Sequence, residues 1–184
     1  MARARTRLIA CCAALVGALA LGSCAGFGNR QAAPASGLGP SQQRREPALS
    51  GNSRLLASIV DDSGRSSVLL QEQPSGRVIP LRHLRGHRPH SSPALSWNGR
   101  YLALLLQQGG QSVAVIEDRL SGQLHRLPAP GGAKLERLSL APDGQTLALQ
   151  VLQGGQQRVQ LFDLSGVLEP DRPGGQRSSN PTAP

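Results

Sequence analysis

Residues 93–128 read PALSWNGRYLALLLQQGGQSVAVIEDRLSGQLHRLP, and their punctuation divides them into four strands. Residues 94–96 form a short first strand, and Asn98-Gly99 is a dipeptide favoured in two-residue hairpin turns. Residues 101–107 are a near-continuous apolar run, as expected of a strand covered on both faces, and Gly109-Gly110 turns it. Residues 112–117 make a third strand, Ser121-Gly122 the next turn, and residues 123–127 a more polar, alternating outer strand.

Working outward, the unit repeats. Pro47-Ala48-Leu49-Ser50 returns as Pro93-Ala94-Leu95-Ser96, 46 residues on, and Leu102-Ala103 returns as Leu147-Ala148, 45 residues on. Gly64, Gly110 and Gly155 keep the same phase, as do Ser75-Gly76, Ser121-Gly122 and Ser165-Gly166. The expected fold is all-β: three four-stranded antiparallel repeats at 47–92, 93–137 and 138–168, forming a partial propeller. The composition agrees, with 22 Gly, 14 Pro and only four aromatic residues, so Leu, Val and Ala must fill the core.

The strings Trp97-Asn98-Gly99-Arg100-Tyr101-Leu102-Ala103 and Ala141-Pro142-Asp143-Gly144-Gln145-Thr146-Leu147-Ala148 resemble the S-P-D-G-x-x-L-A opening of TolB-type, WD-like β-propeller repeats. Asp118 with Ser121-Gly122, and Asp163 with Ser165-Gly166, resemble the close of those repeats. The similarity covers residues 47–168, with Gly51-Asn52-Ser53 departing from the P-D-G turn. It implies a propeller fold and a protein-binding role. TolB's own N-terminal α/β domain has no counterpart, so no membership of the Tol–Pal system is carried over. Closed propellers use about four to eight blades. Three units can therefore form half of a six-bladed homodimeric ring, an open array, or an addition to a partner's blades.

Upstream, residues 1–7 are basic and residues 8–21 apolar, too short to span a membrane as a helix but suited to a signal peptide over 1–23. Leu21-Gly22-Ser23-Cys24 resembles the bacterial lipobox, which implies cleavage before Cys24 and lipidation of its sulfur. Residues 24–46, rich in Gly, Pro, Ser, Gln and Ala, read as the lipidated cysteine and a flexible linker, and residues 169–184 as a disordered tail. Removal of Arg3, Arg5 and Arg7 takes the 20 basic side chains to 17 against 11 acidic ones, a net of +6. The expected location is the cell envelope, anchored on the periplasmic side, in the outer membrane rather than the inner.

The chain has no Gly-x-Ser-x-Gly elbow and no Ser-x-x-Lys, so no catalytic residue is assigned. Asp118, Asp143 and Asp163 sit at turns and read as caps of backbone N–H groups. Residues 77–90, RVIPLRHLRGHRPH, are the most distinctive loop: Arg77, Arg82, Arg85 and Arg88 with His83, His87 and His90 form a candidate anion site. No carboxylate or cysteine accompanies the three histidines, so neither metal nor other cofactor is assigned. Scarce aromatics leave no stacking platform for nucleic acid. The reading is a non-catalytic, lipid-anchored scaffold for an envelope protein partner. Its alternatives are a binder of anionic envelope ligands through residues 77–90 and the accessory domain of an envelope hydrolase.

Overall fold

The computed structural model describes residues 43–73, 75–86 and 88–174, which form ten strands, one 3-10 turn and no α-helix. The expected signal peptide, Cys24, residues 25–42 of the linker, His87 and residues 175–184 lie outside the described residues.

The strands form three antiparallel meanders. The first joins β1 (Arg44–Leu49), β2 (Leu55–Asp62) and β3 (Arg65–Glu72). The second joins β4 (His90–Leu95), β5 (Tyr101–Gln108), β6 (Gln111–Asp118) and β7 (Gln123–Leu127). The third joins β8 (Lys134–Leu140), β9 (Thr146–Gln153) and β10 (Gln156–Asp163). The three repeats are thus present, but only the middle one has four strands. In the first, the fourth strand shrinks to a single bridge between Gln71 and Val78, with Ile79 N–H on Leu70 O at 2.8 Å. Pro80 follows, has no N–H, and ends the ladder. In the third, Pro170 and a buried Asp171 take the chain elsewhere.

The middle sheet explains why β5 is apolar from Tyr101 to Leu106. Leu102, Leu104 and Leu106 of β5 pack with Leu55, Ala57 and Ile59 of the first sheet. The alternate residues Tyr101, Ala103 and Leu105 pack with Leu147, Leu149 and Val151 of the third. Period-two alternation sends successive side chains to opposite faces, and both faces are covered.

Two kinds of turn join the strands. Ser63-Gly64, Gly109-Gly110 and Gly154-Gly155 all have positive φ at both positions (50 and 80°, 58 and 80°, 56 and 78°), the backbone of a two-residue type I′ hairpin. Asn98-Gly99 differs from the expected two-residue turn. Ser96 N–H donates to Tyr101 O at 3.1 Å, which leaves four residues in the loop. Gly99 N–H closes an inner β-turn on Ser96 O at 3.0 Å, and only Gly99 is left-handed, at φ 68°. Gly144 repeats this with its N–H on Ala141 O at 2.9 Å, and Ser53 with its N–H on Ser50 O at 2.8 Å. The first copy therefore makes the same turn with Ser53, not a glycine, at the left-handed position.

Residues 44–46 and 169–171, assigned above to linker and tail, are built into the fold. Arg44 to Glu46 open β1, where Arg45 Nε bonds Asp61 Oδ2 at 3.0 Å. Glu46 accepts the Ser92 N–H, and Leu138 N–H donates to Ser92 Oγ at 2.8 Å, so β1, β4 and β8 are linked side by side. At the other end Asp171 is 6% exposed and accepts hydrogen bonds from Ser96 Oγ (2.5 Å), Asn98 N–H (2.8 Å) and Asn98 Nδ2 (2.9 Å). Tyr101 Oη donates to Glu169 O at 2.8 Å. Residues 169–172 are a clasp on the middle blade rather than part of a free tail.

Candidate functional site: a plugged joint, a cationic loop and an open edge

Residues 77–90 do not act as one cluster. The segment supplies what the first blade lacks, a cover over the outer part of its joint with the second. Leu81 and Leu84 point inward, 6% and 5% exposed, in the same core cluster as Val115 and against Leu124. Each such burial contributes about 2 kcal/mol. Arg82 N–H and His83 N–H donate to the two carboxylate oxygens of Glu117, each at 3.0 Å. Glu117 is 2% exposed, so the backbone of this loop already holds an anion, one from its own chain. His83 Nε2 meets Gly122 O at 2.7 Å, and a Cβ at Gly122 would strike the Arg82 guanidinium.

His90 departs from the expected group. It opens β4, is 3% exposed, and its Nδ1 accepts the Val68 N–H at 3.0 Å. Burial lowers its pKa and keeps the ring neutral. Arg77 turns back to Glu72, with Nη2 3.0 Å from Oε2. Arg85 bonds Leu81 O, and Arg88 Nη1 reaches Gln108 Oε1 at 3.3 Å. Arg82, Arg85 and Arg88 are exposed and form no ion pair with a described residue. Their charged ends face solvent.

The repeat-phased aspartates cap turns. Asp118 Oδ1 accepts the N–H groups of Leu120 (2.9 Å) and Ser121 (3.3 Å), Asp143 Oδ1 that of Gln145 (2.9 Å), and Asp163 Oδ1 that of Ser165 (2.9 Å). Burial pushes the Asp118 pKa up, but the Arg100 guanidinium and the turn N–H groups outweigh it and hold the carboxyl at about 2. Arg100 also reaches Glu169 at 2.8 Å, so this cluster binds the clasp to the blade.

The third blade ends in an unfinished edge. β10 is outermost in its sheet, and no strand among the described residues pairs with its far side. Gln153 and Gln156 flank a two-residue turn as a hydrogen-bonded pair, so the backbone groups of Gln157, Val159, Leu161 and Asp163 point away from β9. Val159 and Leu161 are 69% and 72% exposed. Between this edge and β7 lies a groove of about 660 Å³, walled by Leu124, Leu127, Phe162, Val167 and Leu168. The groove has no local signature in the sequence, because it needs β7 and β10 brought side by side.

No family model and no curated protein matches the sequence. Solved structures do match the fold. TolB from Acinetobacter baumannii aligns at 17% identity over 65% of this chain and 30% of that one, with a TM-score of 0.52. A TolB-assigned structure from Agrobacterium tumefaciens aligns at 17% identity over 69% and 46%, with a TM-score of 0.55. The β-propeller domain of the Trilobed protease from Pyrococcus furiosus, described as having an open velcro topology, aligns at 14% identity over 71% and 41%, with a TM-score of 0.52. The chain thus spans less than half the length of each of these structures. The described residues form a TolB-like segment of a β-propeller.

Proposed function

We propose that this chain is a lipid-anchored protein of a bacterial cell envelope whose propeller segment binds another protein without catalysing a reaction. The observation that carries the reading is the unpaired β10 edge with Val159 and Leu161 exposed on it. Edges of this kind template pairing with another chain unless they are blunted or covered. The basic start, short apolar run and Cys24 support the anchor, and the TolB-like fold supports a binding role. The test is a photo-crosslinking amino acid placed in the full chain at Leu161 and, separately, at Leu120, expressed in a bacterium. Discrete protein adducts from either position are expected, and none from both overturns the scaffold reading. Palmitate incorporation that survives Cys24→Ala overturns the anchor.

A second reading rests on Arg82, Arg85 and Arg88, exposed and free of ion pairs with described residues: binding of an anionic envelope ligand. Replacing all three by Ala abolishes salt-sensitive binding if this reading holds and leaves it unchanged if it does not. The resemblance to a protease's propeller domain supports a third, the accessory part of a hydrolase. Peptide or ester hydrolysis by the purified chain would favour it.

A further inference from the structure

The two joints between blades are finished differently. In each, an outer blade that lacks its fourth strand faces the middle blade, and the outer part of the joint is left to be filled. In the first joint the chain fills it itself: Leu81 and Leu84 enter the core, and Glu117 ties down the backbone of the plug. In the second, the residue in phase with Glu117 is Phe162, 45 positions on, whose side chain has no carboxylate to accept such a tie. Leu164 and Leu168 are buried but leave the 660 Å³ groove beside them.

We infer that the groove between β7 and β10 receives an extended, partly acidic segment of a partner polypeptide, added as the missing fourth strand of the third blade. This rests on the protein-binding reading above and specifies its mode. The backbone groups of Gln157, Val159, Leu161 and Asp163 are the ones a new antiparallel strand would pair with. The face of β10 carrying Val159 and Leu161 asks for aliphatic residues opposite them. The other face carries Phe162 in the groove wall and, four residues earlier, the exposed Arg158; His125 and Arg126 belong to the lining or its border. An apolar residue opposite Phe162 and an acidic one opposite Arg158 complete the pattern. A basic segment would meet three basic side chains.

The probe is a fluorescein-labelled peptide with the core leucine-valine-threonine-valine-glutamate, titrated against the full-length protein in detergent and followed by anisotropy. A counterpart with lysine for glutamate is the control. The glutamate peptide should bind at least fivefold more tightly and protect the Val159 and Leu161 amides from hydrogen exchange. Arg158→Glu, a change at an exposed side chain that leaves the fold intact, should reverse the preference. Val159→Pro removes an outward N–H and should weaken binding at least tenfold. Equal affinity for both peptides, no binding of either, or protection away from β10 overturns the inference. So does a dimer of this chain that Val159→Pro abolishes, because a second copy would then own the edge. Cross-links from Leu120 but none from Leu161 sink this inference alone and leave the scaffold reading standing.

Discussion

The ring of Tyr101 lies against Gly144, so close that a Cβ there would come within 2.5 Å of Cδ2. Leu55 lies against Gly99 in the same way one blade earlier. Each glycine thus meets two demands at once, a left-handed φ and room for a large apolar side chain of the preceding blade. Ser53 holds the same turn position at φ 58° in the first blade, where no described blade precedes it and only the conformational demand applies. Gly144→Ala should therefore cost about 3 kcal/mol, from left-handed strain plus overpacking. Ser53→Gly should raise stability by about 1 kcal/mol by removing strain alone. Urea unfolding midpoints of the two variants give opposite signs if this account is right.

Asp171 replaces a turn contact that the other blades make locally. In the first blade Asn52 Oδ1 accepts from Ser50 Oγ at 2.8 Å and from Arg54 N–H at 3.0 Å. In the second, Ser96 Oγ and Arg100 N–H donate instead to Asp171, at 2.5 and 3.3 Å. Asp171→Ala strands buried donors on the middle blade and should destabilise the chain by about 2–3 kcal/mol in urea unfolding. A loss under 0.5 kcal/mol would show that the clasp is ornamental.

These contacts mark where reading the chain residue by residue reaches its limit. Repeats and strands were legible because glycine turns and period-two apolarity are local, and β7 falls on residues 123–127 as read. The clasp was not legible: Glu169 to Asp171 look like any Pro-rich tail, and their role comes from donors 68 to 75 residues away. His90 carried no local sign of burial within an Arg-rich run. Its partner is the Val68 N–H, 22 residues off, supplied by the neighbouring sheet.

That buried ring makes stability depend on pH. His90 has a pKa lowered by burial, so in the folded chain it resists protonation that the unfolded chain accepts near pH 6.5. Above that pH both states are neutral and the group has no effect. Below it the unfolded state binds a proton the folded state does not, and stability should fall by about 1.4 kcal/mol per pH unit until the folded pKa is reached. His90→Gln retains an acceptor for the Val68 N–H and should flatten this dependence between pH 6.5 and 5. Urea midpoints that fall equally in both proteins would assign the effect to other groups.

The ends of the array also predict its state of assembly. At each internal joint an apolar residue, Leu55 or Tyr101, meets the glycine of the next turn, Gly99 or Gly144. A six-bladed ring of two copies would bring the third blade of one against the first blade of the other. The residues then in register are Thr146, which is exposed, and Ser53, which already carries a Cβ at positive φ. Neither side offers the large apolar residue over bare backbone that both internal joints share, and the gain of about 2 kcal/mol from burying such a side chain is missing. We therefore expect residues 25–184 to sediment as a monomer at micromolar concentration. Replacing Thr146 by Leu and Ser53 by Gly together recreates the internal joint and should shift the chain toward a dimer. A wild-type dimer that Thr146→Arg dissociates would reverse the argument and place the joint between copies.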